Sequence, residues 1–175
     1  MRRLVIAAGV AGLAAIGGMA AAQDQSTNQV AAETDWSVFV EDNPTECWGV
    51  SAPKETVNTR DGRVVSVRRG DILLFVTFRP GRGAAGEVSF TGGYPFRNGS
   101  TVTVTVSGND YDLYTEGEWA WPEDAQSDSE LVAALRAGAE ATVVGVSSRG
   151  TTTQDTFSLM GFTAAMEEAE KRCSE

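Results

Sequence analysis

Residues 151–173 read TTTQDTFSLMGFTAAMEEAEKRC. The first part, threonine-rich and β-branched, has the composition of a strand. At Gly161 the period changes. Phe162, Met166, Ala169 and Cys173 recur at steps of four, three and four, which draws one stripe down a helix. Glu167, Glu168, Glu170 and Lys171 fall on its other sides. Cys173 therefore sits on the stripe that faces the body of the protein. The other cysteine, Cys47, falls in an early strand. The expected architecture is a β-rich body whose last helix is fastened back onto its beginning.

The chain has 175 residues, enough for one domain, and 42% are hydrophobic, enough for a packed core. Residues 1–22 read as a secretory signal. Arg2 and Arg3 form the charged start and Leu4 to Ile16 the apolar run. Ala20-Ala21-Ala22 supplies the small-residue cleavage pattern. No second apolar segment is long enough to span a bilayer. The mature protein is thus expected to be periplasmic or secreted, with no membrane span. Loss of the two leader arginines takes the formal charge from −10 to −12, a balance that repels nucleic acid. An exported chain permits disulfides, and two cysteines allow one internal pairing, Cys47–Cys173. Two free thiols or an intermolecular bridge are the alternatives.

Residues 23–34 are polar and without period, and are expected to be a disordered lead-in to a domain over 35–175. Asp35 to Val40 alternates, with Trp36, Val38 and Val40 on one face. Glu46 to Ala52 is a second strand, followed by a polar loop to Asp61. Gly62 to Arg68 and Asp71 to Phe78 are expected to pair across Arg69-Gly70, which puts the Arg69-Gly70-Asp71 tripeptide at a hairpin tip. Residues 100–106 (STVTVTV) alternate cleanly and turn at Gly108-Asn109 into a return strand. Asp124 to Gly138 is the first helix, with Ser127 and Glu130 at capping-box spacing and Leu131 and Leu135 inward. A last hairpin leads to the closing helix. About nine strands with tight turns, one internal helix and one C-terminal helix make this an all-β sandwich or barrel.

Four segments together resemble the invasion-associated locus B family. They are Asp35-Trp36-Ser37-Val38, Cys47, residues 131–138 (LVAALRAG) and residues 157–165 (FSLMGFTAA). The resemblance implies a small exported bacterial protein with an immunoglobulin-like β-sandwich. It also implies a connection with host-cell invasion through one member, and it carries no catalytic residues to this chain.

The chemistry-bearing residues are few. With no histidine, the usual general base and imidazole metal ligands are missing. No nucleophile elbow, P-loop or dinucleotide fingerprint occurs. Glu116 and Glu118 are the carboxylates that would serve a glycoside hydrolase, but a solvated strand face is the simpler reading. The acidic run from Asp110 to Glu130 offers hard oxygen ligands without the spacing of a calcium loop. With its aromatics it forms the alternative site, for a small ligand or metal. Trp119 and Trp121 are expected to pack under the first helix. Tyr94 and Phe96, in a glycine/proline turn, are expected to be exposed. With Pro95, Tyr111 and Tyr114 they are the candidate contact residues for a protein or envelope component. The sequence thus favours a non-enzymatic protein with no cofactor and no metal, acting through contact with a macromolecule.

Overall fold

In the computed structural model, which describes residues 28–42 and 45–174, strand follows strand through most of the chain. The first six are β1 (Gln29–Glu33), β2 (Trp36–Asp42), β3 (Thr45–Ser51), β4 (Glu55–Arg60), β5 (Arg63–Val64) and β6 (Leu73–Arg79). A short 3-10 turn leads to β7 (Ala84–Thr91), β8 (Thr101–Val106), β9 (Asn109–Glu116) and β10 (Trp119–Trp121). Helix α1 (Ala125–Ala137) precedes β11 (Glu140–Val146) and β12 (Thr152–Ser158), and α2 (Phe162–Ser174) closes the chain. The leader expected over residues 1–22 lies outside the described residues.

All twelve strands belong to one sheet, in the order β1-β2-β3-β6-β7-β10-β9-β8-β11-β12-β4-β5. Its pairings are antiparallel. The sheet folds over on itself. Phe90 of β7 and Phe157 of β12 have four strands between them in that order, yet their rings meet edge to face at 6.2 Å. Trp36 of β2 donates its indole N–H to the Ser158 carbonyl of β12 at 3.0 Å. Period-two alternation delivers Val38, Leu74, Val76, Val102, Val104 and Val143 to the enclosed face, all fully buried.

Among the described residues twelve strands replace the nine expected; β10 is a short added strand inside the sheet, and the other two additions share one cause. β1 occupies part of the stretch expected to be a disordered lead-in, and β4 part of the expected polar loop. β1 and β5 end the sheet order, and β4 lies next to β5. Such strands are held by backbone pairing with β2 and β12 while their side chains meet water. No hydrophobic period is then required of them. The expected strand over 62–68 shrinks to Arg63–Val64. Beyond it the chain crosses a glycine pair, where Gly70 N–H donates to Gly93 O at 2.8 Å. Arg69-Gly70-Asp71 is therefore not a hairpin tip. The turn after β8 sits one residue earlier than expected, at Ser107-Gly108. Both residues have positive φ (51° and 82°), the pattern of a type I′ hairpin.

Helix α1 begins at a different cap from the one expected. The Asp124 carboxylate accepts from Ser127 N–H at 2.8 Å, so Asp124 is the N-cap and Ser127 lies inside the first turn. Those backbone and hydroxyl donors hold the Asp124 carboxyl below its usual range. Leu131 and Leu135 are buried as the spacing predicts.

Helix α2 buries Phe162, Ala165, Met166, Ala169 and Cys173. Phe162 meets Trp36 edge to face at 4.8 Å. Cys173 is bonded to Cys47 of β3, with the two Cα atoms 5.7 Å apart. The turn into the helix depends on Gly161, whose φ is +89°. A Cβ there would lie 1.9 Å from the Glu33 carbonyl oxygen of β1. Gly161→Ala is expected to cost about 1–3 kcal/mol from backbone strain, and to loosen β1. Urea denaturation reads the first effect, and faster amide exchange over residues 29–33 reads the second. Wild-type protection of β1 in this variant would contradict the packing described.

Candidate functional site

The five candidate contact residues do not form one patch. Phe96 is 4% exposed, a correction to its expected exposure. Its ring packs into the core, 6.2 Å from Phe90 and 5.0 Å from Tyr94. The Gly92-Gly93 backbone, close against Gly70, folds this turn inward. Tyr94 is half-buried beside it, with its hydroxyl hydrogen-bonded to Thr153. Burial pushes the Tyr94 phenol above its ordinary value. Tyr111 packs against the core, while Pro95 and Tyr114 are exposed.

Tyr114 belongs to a larger feature, an aromatic face on the outside of the sheet. Ala120 pairs with Phe90, whose side chain points inward, and Ala120 is itself fully buried. Period two then turns Trp119 and Trp121 to the outer face of the sheet, where they stack on each other rather than packing under α1 as expected. Trp119 and Trp121 stack at 6.4 Å, Tyr114 lies 5.5 Å from Trp121, and Phe75 lies 5.8 Å from Trp119. Trp48 of β3 faces the same shallow groove, of about 370 Å³, and stacks on Phe39 at 5.7 Å. Arg79, paired with both Glu46 and Glu87, borders it. Tyr114 is 49% and Trp119 39% exposed.

A second concavity, of about 540 Å³, is one the sequence did not reveal. Arg60, Arg68, Arg69 and Arg149 line it, together with Tyr94, Pro95 and Glu118. Arg69 forms its buried wall. The guanidinium donates to both carboxylate oxygens of Asp155, at 2.6 and 2.5 Å, and to Gly92 O at 2.8 Å. Its carbon centre lies 5.1 Å from the centre of the Tyr94 ring. Arg60 donates to the Thr151 hydroxyl at 2.6 Å. Arg60, Arg68 and Arg149 come from β4, the crossing segment and the β11–β12 turn. No local motif unites them.

The acidic stretch from Asp110 to Glu130 divides between two concavities, Asp110, Asp112 and Glu130 lining one of about 210 Å³ and Glu123, Asp124 and Asp128 lining another of about 590 Å³ together with Tyr114 and Trp121. Asp110 and Asp112 accept from Thr105 and Thr103, and Asp128 accepts from Val88 N–H. Asp124 caps α1. Burial raises the Asp128 carboxyl above its usual value, against that backbone hydrogen bond. Glu116 ends β9 and Glu118 lies in the turn beyond it, so they do not share a strand face as expected. Among the described residues no group of three or more His, Cys, Asp or Glu side chains is placed to hold a metal ion. No helix among them is long and apolar enough to cross a membrane.

Comparison with known proteins bears on most of the chain. A family model described as "Invasion associated locus B (IalB) protein" matches residues 41–170. The crystal structure of invasion associated protein b from Bartonella henselae superposes with a TM-score of 0.56 at 18% identity. That match covers 83% of this chain and 98% of the other. At that identity the likeness is one of fold. No curated protein matches.

Proposed function

The chain belongs to the invasion associated locus B family, and from that premise we propose an exported, non-enzymatic protein that acts by binding a protein of the cell envelope or of a host surface. The observation that carries this reading is the aromatic face. Tyr114, Trp119, Trp121, Phe75, Trp48 and Phe39 form one outward belt across β9, β10, β6, β3 and β2. Tryptophan and tyrosine are the side chains that dominate protein interfaces, since they offer much rigid area at little entropic cost. The charged Glu46-Arg79-Glu87 border supplies the polar rim such interfaces have. Two features support the exported location: the leader pattern over residues 1–22, and the Cys47–Cys173 bridge, a bond that oxidising compartments sustain. We also read the folded-over sheet as an immunoglobulin-like sandwich, elaborated at its edges by β1, β4 and β5.

A photo-crosslinking residue placed at position 119 of the mature protein tests the reading. It should yield a discrete protein adduct in envelope or host-surface extract. The same residue at Val57, an exposed edge position, should yield none. Once the adduct partner is purified, Trp119→Ala should weaken its binding at least tenfold. It should change unfolding stability by less than about 1 kcal/mol, since the ring is already part-solvated. Equal adducts at both positions would remove the aromatic face from consideration.

A further inference from the structure

We propose that the arginine-lined concavity between β4, the crossing segment and the β11–β12 turn is a binding site for a small phosphate-bearing ligand of sugar-phosphate size. This site is separate from the aromatic face and does not depend on its role.

Four of the chain's fourteen Lys and Arg residues line this one concavity, in a molecule of net charge −10. Arg60, Arg68 and Arg149 are exposed at its mouth. None of these three forms an ion pair among the described residues. Arg69 is neutralised by Asp155, and Glu118 is the one other carboxylate in the lining. Three guanidinium groups therefore face one carboxylate. Like charges brought together without partners repel, and an oxyanion relieves that repulsion. Arginine is also the side chain whose planar fork matches phosphate oxygens in pairs.

The dimensions and surroundings set the rest of the ligand. A volume of about 540 Å³ is in the range of small-molecule sites and far exceeds a bare phosphate. Tyr94 and Pro95 give the wall an apolar part against which the remaining carbon skeleton can rest. A large polyanion would lie across the acidic exterior as well as the concavity. A small ester meets chiefly the arginines, because charges beyond about 8 Å are screened at physiological salt. The field of the whole molecule thus selects compact anions.

The experiment is isothermal titration of the mature, disulfide-intact protein with glucose 6-phosphate, inorganic phosphate and glucose. Saturable binding of the phosphate ester, competed by inorganic phosphate and absent with glucose, is expected. Arg68→Gln/Arg149→Gln should weaken it at least tenfold with an unchanged melting temperature, and Trp119→Ala should leave it as in the wild type. Arg149→Gln alone gives the same reading, with a smaller change, should the double variant be destabilised. Flotation with phosphatidylglycerol vesicles is the parallel arm. Vesicle binding lost in the double variant would assign the phosphate to a lipid headgroup and overturn the small-ligand reading. Absence of binding to all phosphate probes would overturn the proposal. So would equal affinity for glucose, or binding that the arginine variants do not change.

Discussion

Asp155→Ala lowers the free energy of unfolding by about 3–5 kcal/mol, the loss expected when one member of a buried ion pair is removed. Asp155 is fully buried, and the Arg69 side chain is 6% exposed. Removing the carboxylate leaves a guanidinium with only Gly92 O and the more distant Asn58 amide oxygen as neutral acceptors. The pair is not itself a large source of stability. Burial pushes the Asp155 carboxyl above its usual value, more than the Arg69 hydrogen bonds pull it down. A carboxyl whose folded pKa is raised favours the folded state at low pH, and that contribution fades as pH rises through the raised value. Two consequences separate the desolvation cost from the pairing. Arg69→Met/Asp155→Leu should recover most of what either single change loses. The wild type should also lose stability from this group as pH rises out of the acid range. Urea midpoints of Arg69→Met, Asp155→Ala and the double variant, with the wild type followed across pH, check both. A double variant as unstable as Asp155→Ala would show that the fork geometry, rather than the stranded charge, holds this region.

Cys47→Ala/Cys173→Ala is expected to cost about 2–5 kcal/mol. The bridge spans 126 residues of sequence. In the chain-entropy account a loop of that length constrains the unfolded chain by roughly 4–5 kcal/mol, near the top of the range. The loss is a large part of a usual domain stability of about 5–15 kcal/mol. Helix α2 should be the first element to leave, because its buried stripe is otherwise held by apolar contacts with β1, β2, β3 and β6. Amide exchange should therefore rise across residues 162–174 before the rest of the fold responds. The wild type after reduction should match the double variant. An unchanged urea midpoint would show that packing alone anchors the helix.

The closing helix, its buried stripe and its bond to Cys47 were legible because each rests on local spacing or on having one possible partner. Val102, Val104 and Val106 were legible for the same reason. The contact residues were not, and the reasons are specific. Trp119-Ala120-Trp121 is an alternation whose phase composition alone misassigns. Large rings suggest the inward positions, but the register with Phe90 gives that place to alanine. Glycine and proline mark turns, so Tyr94 and Phe96 read as part of an exposed one. The tight approach of Gly93 to Gly70 instead tucks the segment under the sheet. Asp155 stands among threonines in a stretch that reads as a solvated strand, and its buried partner is 86 residues away. The arginine concavity is assembled from three distant segments, so only the folded chain brings it into view.

The position of the two cysteines also fixes an order of events in biosynthesis. A ribosome adding about 5–20 residues per second releases Cys173 some 6–25 s after Cys47, given their separation of 126 residues. During that interval the first hairpin, with Trp36 and Val38 on its inner side, has no lid. Its thiol has no mate until the tail is made. The molecule is thus finished from its tail, and a nascent chain stalled short of residue 173 carries an uncovered apolar surface together with an unspent thiol.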